Sequence, residues 1–319
     1  MEAQNKFEFD FAKEKLVVRR GELVVIGGRP SSGKSSLVLN MFTHCMKNNI
    51  QSNVYIHNEQ KAMTTLKLQK IANENFTEVY NPNVLSHEDF ETFADTSYMT
   101  KNCEFERFIN GTDYFESRGD LVLFSKDGSE SYILKGILLK RIIEKKVDIL
   151  FIDGFTGVLK ALESIKKKIT PREASDLLKR LAVTLDIVIV VTCWIDYWVD
   201  KRVEKYPQLG DFGEFSPLEN DADQLWLLHR GEYYNGLKEN ELSQKAKAQG
   251  KEYCSNFFTK PQEQIDINIV KNKNGHIKHT ITDFYPQKMI FKYTVPPPIE
   301  KIYTPDSNFN SAKISLPPL

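Results

Sequence analysis

Residues 22–36 read ELVVIGGRPSSGKSS. The first half, ELVVIG (22–27), is short, β-branched and closed by glycine, the pattern of a buried strand. The second half fits G-x-x-x-x-G-K-[ST] as Gly28-Arg29-Pro30-Ser31-Ser32-Gly33-Lys34-Ser35. From Ser35 to about Lys47, Leu37, Leu39, Met41 and Phe42 supply the apolar positions of a helix. Strand, glycine loop and helix in that order make a phosphate cradle. The glycines let the backbone wrap so that several N–H groups face an anion, and the helix adds its positive end. The motif assigns Gly28, Ser31, Ser32, Gly33, Lys34, Ser35 and Ser36 to nucleotide binding. It aims Lys34 at the β/γ-phosphates and the Ser35 hydroxyl at Mg²⁺, so ATP and Mg²⁺ are the expected cofactors.

A magnesium-linked acid is needed on another strand. VDILFIDGF (147–155) supplies Asp153 after an apolar run. NVYIHNE (53–59) is a second strand, and Glu59 at its end is a candidate general base for an attacking water. PREASDLLKRLAVTLD (171–186) reads as a helix with proline at its start, followed by the strand IVIVVTCW (187–194). ADQLWLLHR (222–230), IDINIVKN (265–272) and HTITDFY (279–285) read as further strands. TTLKLQKIANE (64–74) and SYILKGILLKRIIEKK (131–146) read as helices, and LVLFS (121–125) as a strand. Strands alternating with helices predict an α/β fold with a mostly parallel, twisted sheet flanked by helices. The late strands, without long helices between them, predict an antiparallel extension at one edge. Residues 1–14 read as a short arm, 15–293 as one ATPase domain, and 294–319 as a proline-rich tail without a fixed fold. Within the domain, 75–118 and 235–262 are polar and read as insertions or surface excursions.

The chain has 319 residues, with 43 Lys+Arg balancing 43 Asp+Glu. That balance excludes a globally basic nucleic-acid footprint, so any such contact must come from local patches. The four cysteines lie far apart with no metal-ligand spacing, as for scattered thiols in a reducing cytoplasm. No apolar run is long enough to span a bilayer, so the expected setting is cytoplasmic, with no membrane partner.

Taken together and in order, these blocks resemble the C-terminal ATPase domain of DnaB-type replicative helicases, a RecA-like P-loop NTPase fold. GELVVIGGRPSSGKSSLVLNM resembles the family's phosphate-loop block, NVYIHNEQ the block ending in the catalytic base, and ILFIDGFTGV the strand carrying the metal-linked Asp. EASDLLKRLAVTLDIVIVVTCW resembles the helix–strand unit that follows, and GEFSPLENDADQLWLLHRGEYY a characteristic acidic stretch before a strand. INIVKNKNGHI resembles the block that carries a Lys and an arginine finger to the neighbouring subunit's nucleotide. The resemblance covers roughly residues 15–293. It implies catalytic roles for Glu59, Lys34, Lys271 and Lys273 and a homo-oligomer, with a hexameric ring as one form. It also implies single-stranded DNA as substrate and a replication partner protein.

Three positions depart from the family pattern. Lys273 stands where the family carries Arg, Trp194 where it commonly carries Gln, and Gly213 where it commonly carries Arg. The family's N-terminal helical domain has no counterpart in this sequence. In such rings the loops after the Asp153 strand and after the next strand face the channel. Here they contain Lys160, Lys166, Lys167, Lys168 and Arg172, and then Lys201 and Arg202 among Tyr197, Trp198 and Tyr206. Basic groups neutralise phosphates and aromatic rings stack on bases, so these residues are the candidate DNA contacts. Three functions stay open at this point. They are a helicase or translocase module, a RecA-like ATPase that binds DNA or a partner without unwinding, and a small-molecule kinase.

Overall fold

A computed structural model describes residues 5–48, 50, 52–56, 67, 71, 114–115, 147–163, 169–253 and 262–294. Five strands run parallel at its centre: β3 (Leu23–Gly28), β4 (Ser52–Ile56), β6 (Ile149–Asp153), β7 (Val188–Trp194) and β8 (Gln224–Arg230). A two-residue β5 (Tyr114–Phe115) pairs parallel to β4. On the other side β9 (Glu263–Asn272), β10 (Lys278–Tyr285) and β11 (Ile290–Lys292) add antiparallel to β8. Among the described residues the sheet order is β11-β10-β9-β8-β3-β7-β6-β4-β5, which is the expected parallel sheet with an antiparallel edge.

Strands β3, β6, β7 and β8 are apolar on both sides because both sides are covered. Side chains alternate along a strand, so each strand feeds two cores. Leu23 and Val25 face one, with Leu150, Ile152, Ile189, Val191 and the helix α3 (Pro171–Leu185). Val24 and Ile26 face the other, with Phe151, Val190, Trp226 and the helix α1 (Lys34–Lys47). Helix α3 is well specified. Thr170 and Glu173 form a reciprocal capping box, Pro171 opens the first turn, and Ala174, Leu177, Leu178 and Leu181 form its buried stripe. Helix α2 (Phe155–Glu163) follows β6, and α4 (Pro217–Asp221) leads into β8.

The sequence reading missed three features here. The arm read at 1–14 carries a strand: β1 (Lys6–Phe9) and β2 (Leu16–Arg19) pair antiparallel, and Phe7, Phe9 and Phe11 are buried in the α1-side core. Bonds from the Lys13 N–H to the Ile281 carbonyl and from the Thr282 hydroxyl to the Phe11 carbonyl tie this segment to β10. The polar stretch from 235 belongs to an 18-residue helix, α5 (Gly231–Ala248), with no buried residue. It lacks an apolar period, but Leu, Lys, Glu, Gln and Ala favour helix by propensity alone. The short β11 carries no sequence signal, yet Asn40 of α1 holds its edge through the Met289 carbonyl and the Phe291 N–H. The segments 121–125, 131–146 and 295–319, most of 64–74 and 75–118, and residues 254–261 lie outside the described residues. Among the described residues no helix is long and apolar enough to cross a membrane.

Candidate functional site

Strands β3, β6 and β7 end side by side. Gly28 pairs with Trp194, and Asp153 pairs with Ile56, the last residue of β4. This brings the phosphate loop, Asp153 and Trp194 to one cavity of about 640 Å³. Glu59 lies three residues beyond Ile56 and outside the described residues, so only the direction of its strand agrees with its expected role.

The loop is tight. A Cβ on Gly28 would lie 2.5 Å from the Ser32 Oγ, and one on Gly33 would lie 3.0 Å from Ile265 Cδ1 and 3.2 Å from Phe291 Cζ. Gly33 has φ +97° and Ser31 φ +60°, so the backbone turns through the left-handed region twice. The Ser32 hydroxyl is buried without a hydrogen-bond partner. Such a group needs a partner, and an anion on the loop would supply one. Lys34 is buried and its ammonium donates to the carbonyls of Gly28 (2.8 Å) and Arg29 (2.9 Å). Burial pulls its pKa down to about 8, against the opposing pull of Asp153. Asp153 Oδ1 accepts from the Thr192 hydroxyl at 2.8 Å, which fixes the carboxylate at the cavity wall. The Ser35 hydroxyl and the Asp153 carboxylate are both hard oxygen donors, a set that fits Mg²⁺. Ser36 is buried at the start of α1.

Two arginines that the sequence reading did not assign to the site are bonded around the loop. Arg230, at the end of β8, forks onto buried Glu263 and donates to the Ser31 carbonyl at 3.0 Å. Its guanidinium lies 5.4 Å from the Phe284 ring centre, and both groups line the cavity. Arg29 points the other way, into the segment after β7, where it pairs with Asp200. Neither pairing has a local signal, since 33 and 171 positions separate the partners.

The remaining expected residues divide. Lys271 and Lys273 do not line this cavity. The Lys271 ammonium donates to the Glu219 and Asn220 carbonyls, and burial lowers its pKa. Lys273 is 67% exposed and sits 3.6 Å from Asp223. Asp223 itself is buried, accepting from the Leu23 N–H and from Lys179. The acidic stretch before β8 therefore anchors β3 to α3.

Lys160 was expected on a channel loop. It lies on α2 and lines the phosphate cavity. Arg202 was expected as a DNA contact. It forks onto Asp211 at the foot of its own loop, and that geometry uses its fork to hold the loop together. Lys201 sits 3.9 Å over the exposed Trp198 ring and 4.9 Å from Tyr197, whose rings stack at 4.8 Å. Arg172 is exposed in the first turn of α3. Lys166, Lys167 and Lys168 lie outside the described residues.

A family model described as DnaB-like helicase C-terminal domain matches residues 13–293. The replicative DNA helicase DnaB of Helicobacter pylori is 26% identical over 282 residues, covering 83% of this chain and 54% of its own length. The chain spans about half the length of the curated relatives it matches. Two solved structures share the fold. One is a DnaB-like replicative helicase described with its interactions with primase (TM-score 0.59, 20% identity, 86% of this chain and 58% of that one). The other is a solved ATPase domain (TM-score 0.58, 19% identity, 86% of each chain).

Proposed function

The chain belongs to the DnaB-like helicase C-terminal domain family, and from that premise we propose that it is an ATP-hydrolysing helicase or translocase module acting on single-stranded DNA. One observation carries the reading. A buried lysine, an unpartnered buried serine hydroxyl and a strand-end aspartate meet at the ends of parallel strands, around one cavity. Ser35 and Asp153 would hold Mg²⁺, which supplies charge neutralisation between the phosphates when bound. The loop N–H groups and the Ser32 hydroxyl bind and orient phosphate oxygens. Lys34 turns its ammonium from two backbone carbonyls to the terminal phosphates. Glu59 is the proposed base for the attacking water, and Phe284 beside Arg230 offers a flat wall for the base of the nucleotide.

Lys271 and Lys273 do not line the cavity of their own chain, and Lys273 is exposed, which favours a homo-oligomer in which they serve a neighbouring copy. For DNA, Lys201 with Tyr197 and Trp198, and Arg172, remain exposed candidates on the described surface, beside Lys166, Lys167 and Lys168. A replication partner such as primase is the proposed protein partner, by analogy with the relative described with it.

The test is strand separation of a forked duplex by purified protein with ATP and Mg²⁺, with Lys34→Ala as the blank. ATP-dependent unwinding is expected. Intact hydrolysis with no unwinding under any salt condition would favour an ATPase that binds without moving. Phosphoryl transfer to a metabolite would favour a kinase.

A further inference from the structure

The cavity and the aromatic loop after β7 need a physical connection if nucleotide and DNA are to influence each other. Trp194 ends β7 at the cavity wall and is 58% exposed. Its indole has one N–H donor and no acceptor, so it cannot bridge a phosphate and a loop as an amide could. A different side chain spans the gap.

Arg29 is the second residue of the phosphate loop, and its guanidinium is turned away from the cavity. Nε donates to both Asp200 oxygens (3.1 and 3.0 Å) and Nη2 to Oδ2 (2.7 Å). Nη1 donates to the carbonyl of Ile195, the residue after Trp194, at 3.0 Å. The Arg29 carbonyl, in turn, accepts from Lys34. Asp200 lies in the short 3₁₀ helix Tyr197–Lys201, the turn that carries the Tyr197–Trp198 stack and Lys201. Asp200 is held elsewhere too. Its carbonyl accepts from Lys205. One planar fork therefore joins the peptide that holds the phosphate lysine to the turn that presents the exposed aromatics.

We propose that the Arg29–Asp200 fork is the positioning link through which the phosphate loop sets the geometry of the 197–201 turn, so that nucleotide state and single-strand affinity are coupled through it and not through residue 194. A phosphate that draws the Lys34 ammonium removes a hydrogen bond from the Arg29 carbonyl. The fork transmits the adjustment of that peptide to Asp200 and Ile195. The inference rests on the DNA reading proposed above.

The experiment measures binding of a fluorescein-labelled oligo-dT by anisotropy, on the full chain with Mg²⁺, in ADP and in a non-hydrolysable ATP analogue. Nucleotide affinity is measured separately with a fluorescent ADP. In the unaltered chain the two DNA affinities should differ by about tenfold, within the usual range of site coupling. Asp200→Asn should bring that ratio to within about twofold while ADP affinity holds within about twofold, and Asp200→Glu should restore part of the ratio. If Asp200→Asn does not fold, Arg29→Lys decides, because it keeps the charge and loses the fork; it should lose most of the ratio.

Each contrary result has its own meaning. An unaltered ratio in Asp200→Asn, or in Arg29→Lys, overturns the link and leaves the DNA reading standing. Loss of ADP affinity in step with the ratio makes the pair a structural strut and also overturns the link. No DNA binding by the unaltered chain in either nucleotide overturns the DNA reading, and the link with it.

Discussion

The phosphate loop and the 194–213 segment lie at the same end of the sheet, where Gly28 pairs with Trp194, yet they are built by opposite means. The first is a backbone structure: two left-handed residues, glycines with no room for a Cβ, and a lysine buried among carbonyls. The second is a side-chain structure. It is held by the Arg29–Asp200 and Arg202–Asp211 pairs and exposes about half of each of Trp194, Tyr197 and Trp198. The difference separates the two tasks. Holding phosphate depends on contiguous residues and tolerates almost no change. The strand contact proposed above would depend on distant pairs and an open surface.

Substitutions in the two regions should therefore differ in kind. Lys34→Ala should cost the most, lowering ATP turnover at least about 100-fold, as for removal of a charge-stabilising donor, while nucleotide-free DNA binding persists. Steady-state phosphate release and oligo-dT anisotropy check the two halves. Equal loss of both would erase the proposed division.

Alanine at a left-handed glycine compares the regions directly. Gly33→Ala meets both φ +97° and the Ile265 and Phe291 side chains. It should lose roughly 2–3 kcal/mol in denaturant unfolding. Gly213→Ala, at φ +53° with only Asp196 within 4 Å, should lose about 1 kcal/mol. A larger loss at Gly213 would mean that the loop is the more rigid of the two.

The phosphate loop carries a pH dependence of its own. Burial depresses the Lys34 pKa to about 8, so the ammonium is present below that value and lost above it. A bound anion favours the charged form, so nucleotide affinity should fall about tenfold per pH unit above 8, up to the pKa of the bound state. Calorimetric titration from pH 7 to 10 checks this, and Lys34→Ala should remove that dependence. The smallest expected effect is that of Asp211→Asn, which leaves the Arg202 fork with a neutral partner. It should lower the melting temperature by a few degrees and leave nucleotide affinity unchanged.

How much could be read beforehand follows the same division. The strand–loop–helix of 23–47, the strand ending in Asp153 and the capped helix α3 are local patterns, and each is where its residues predicted. The four-residue strands β1 and β2 and the three-residue β11 are too short to show a period, and their burial comes from the sheet they cover. Lys160 and Arg202 were assigned to DNA because basic residues in a loop have no facing direction in sequence. In the fold one lines the cavity beside the phosphate loop and the other pairs within its own loop. Arg29 stood inside the most legible motif of the chain, but its partner lies 171 positions away.

The most direct measurement is ATP hydrolysis with and without single-stranded DNA, with Lys34→Ala as the blank. Strong stimulation by DNA is the expected result, since the two regions are joined at Gly28–Trp194 and through Arg29. Clear basal hydrolysis that DNA leaves unchanged would contradict a coupled motor module. The phosphate loop would then hydrolyse ATP without driving movement on DNA, and would serve assembly more than motion.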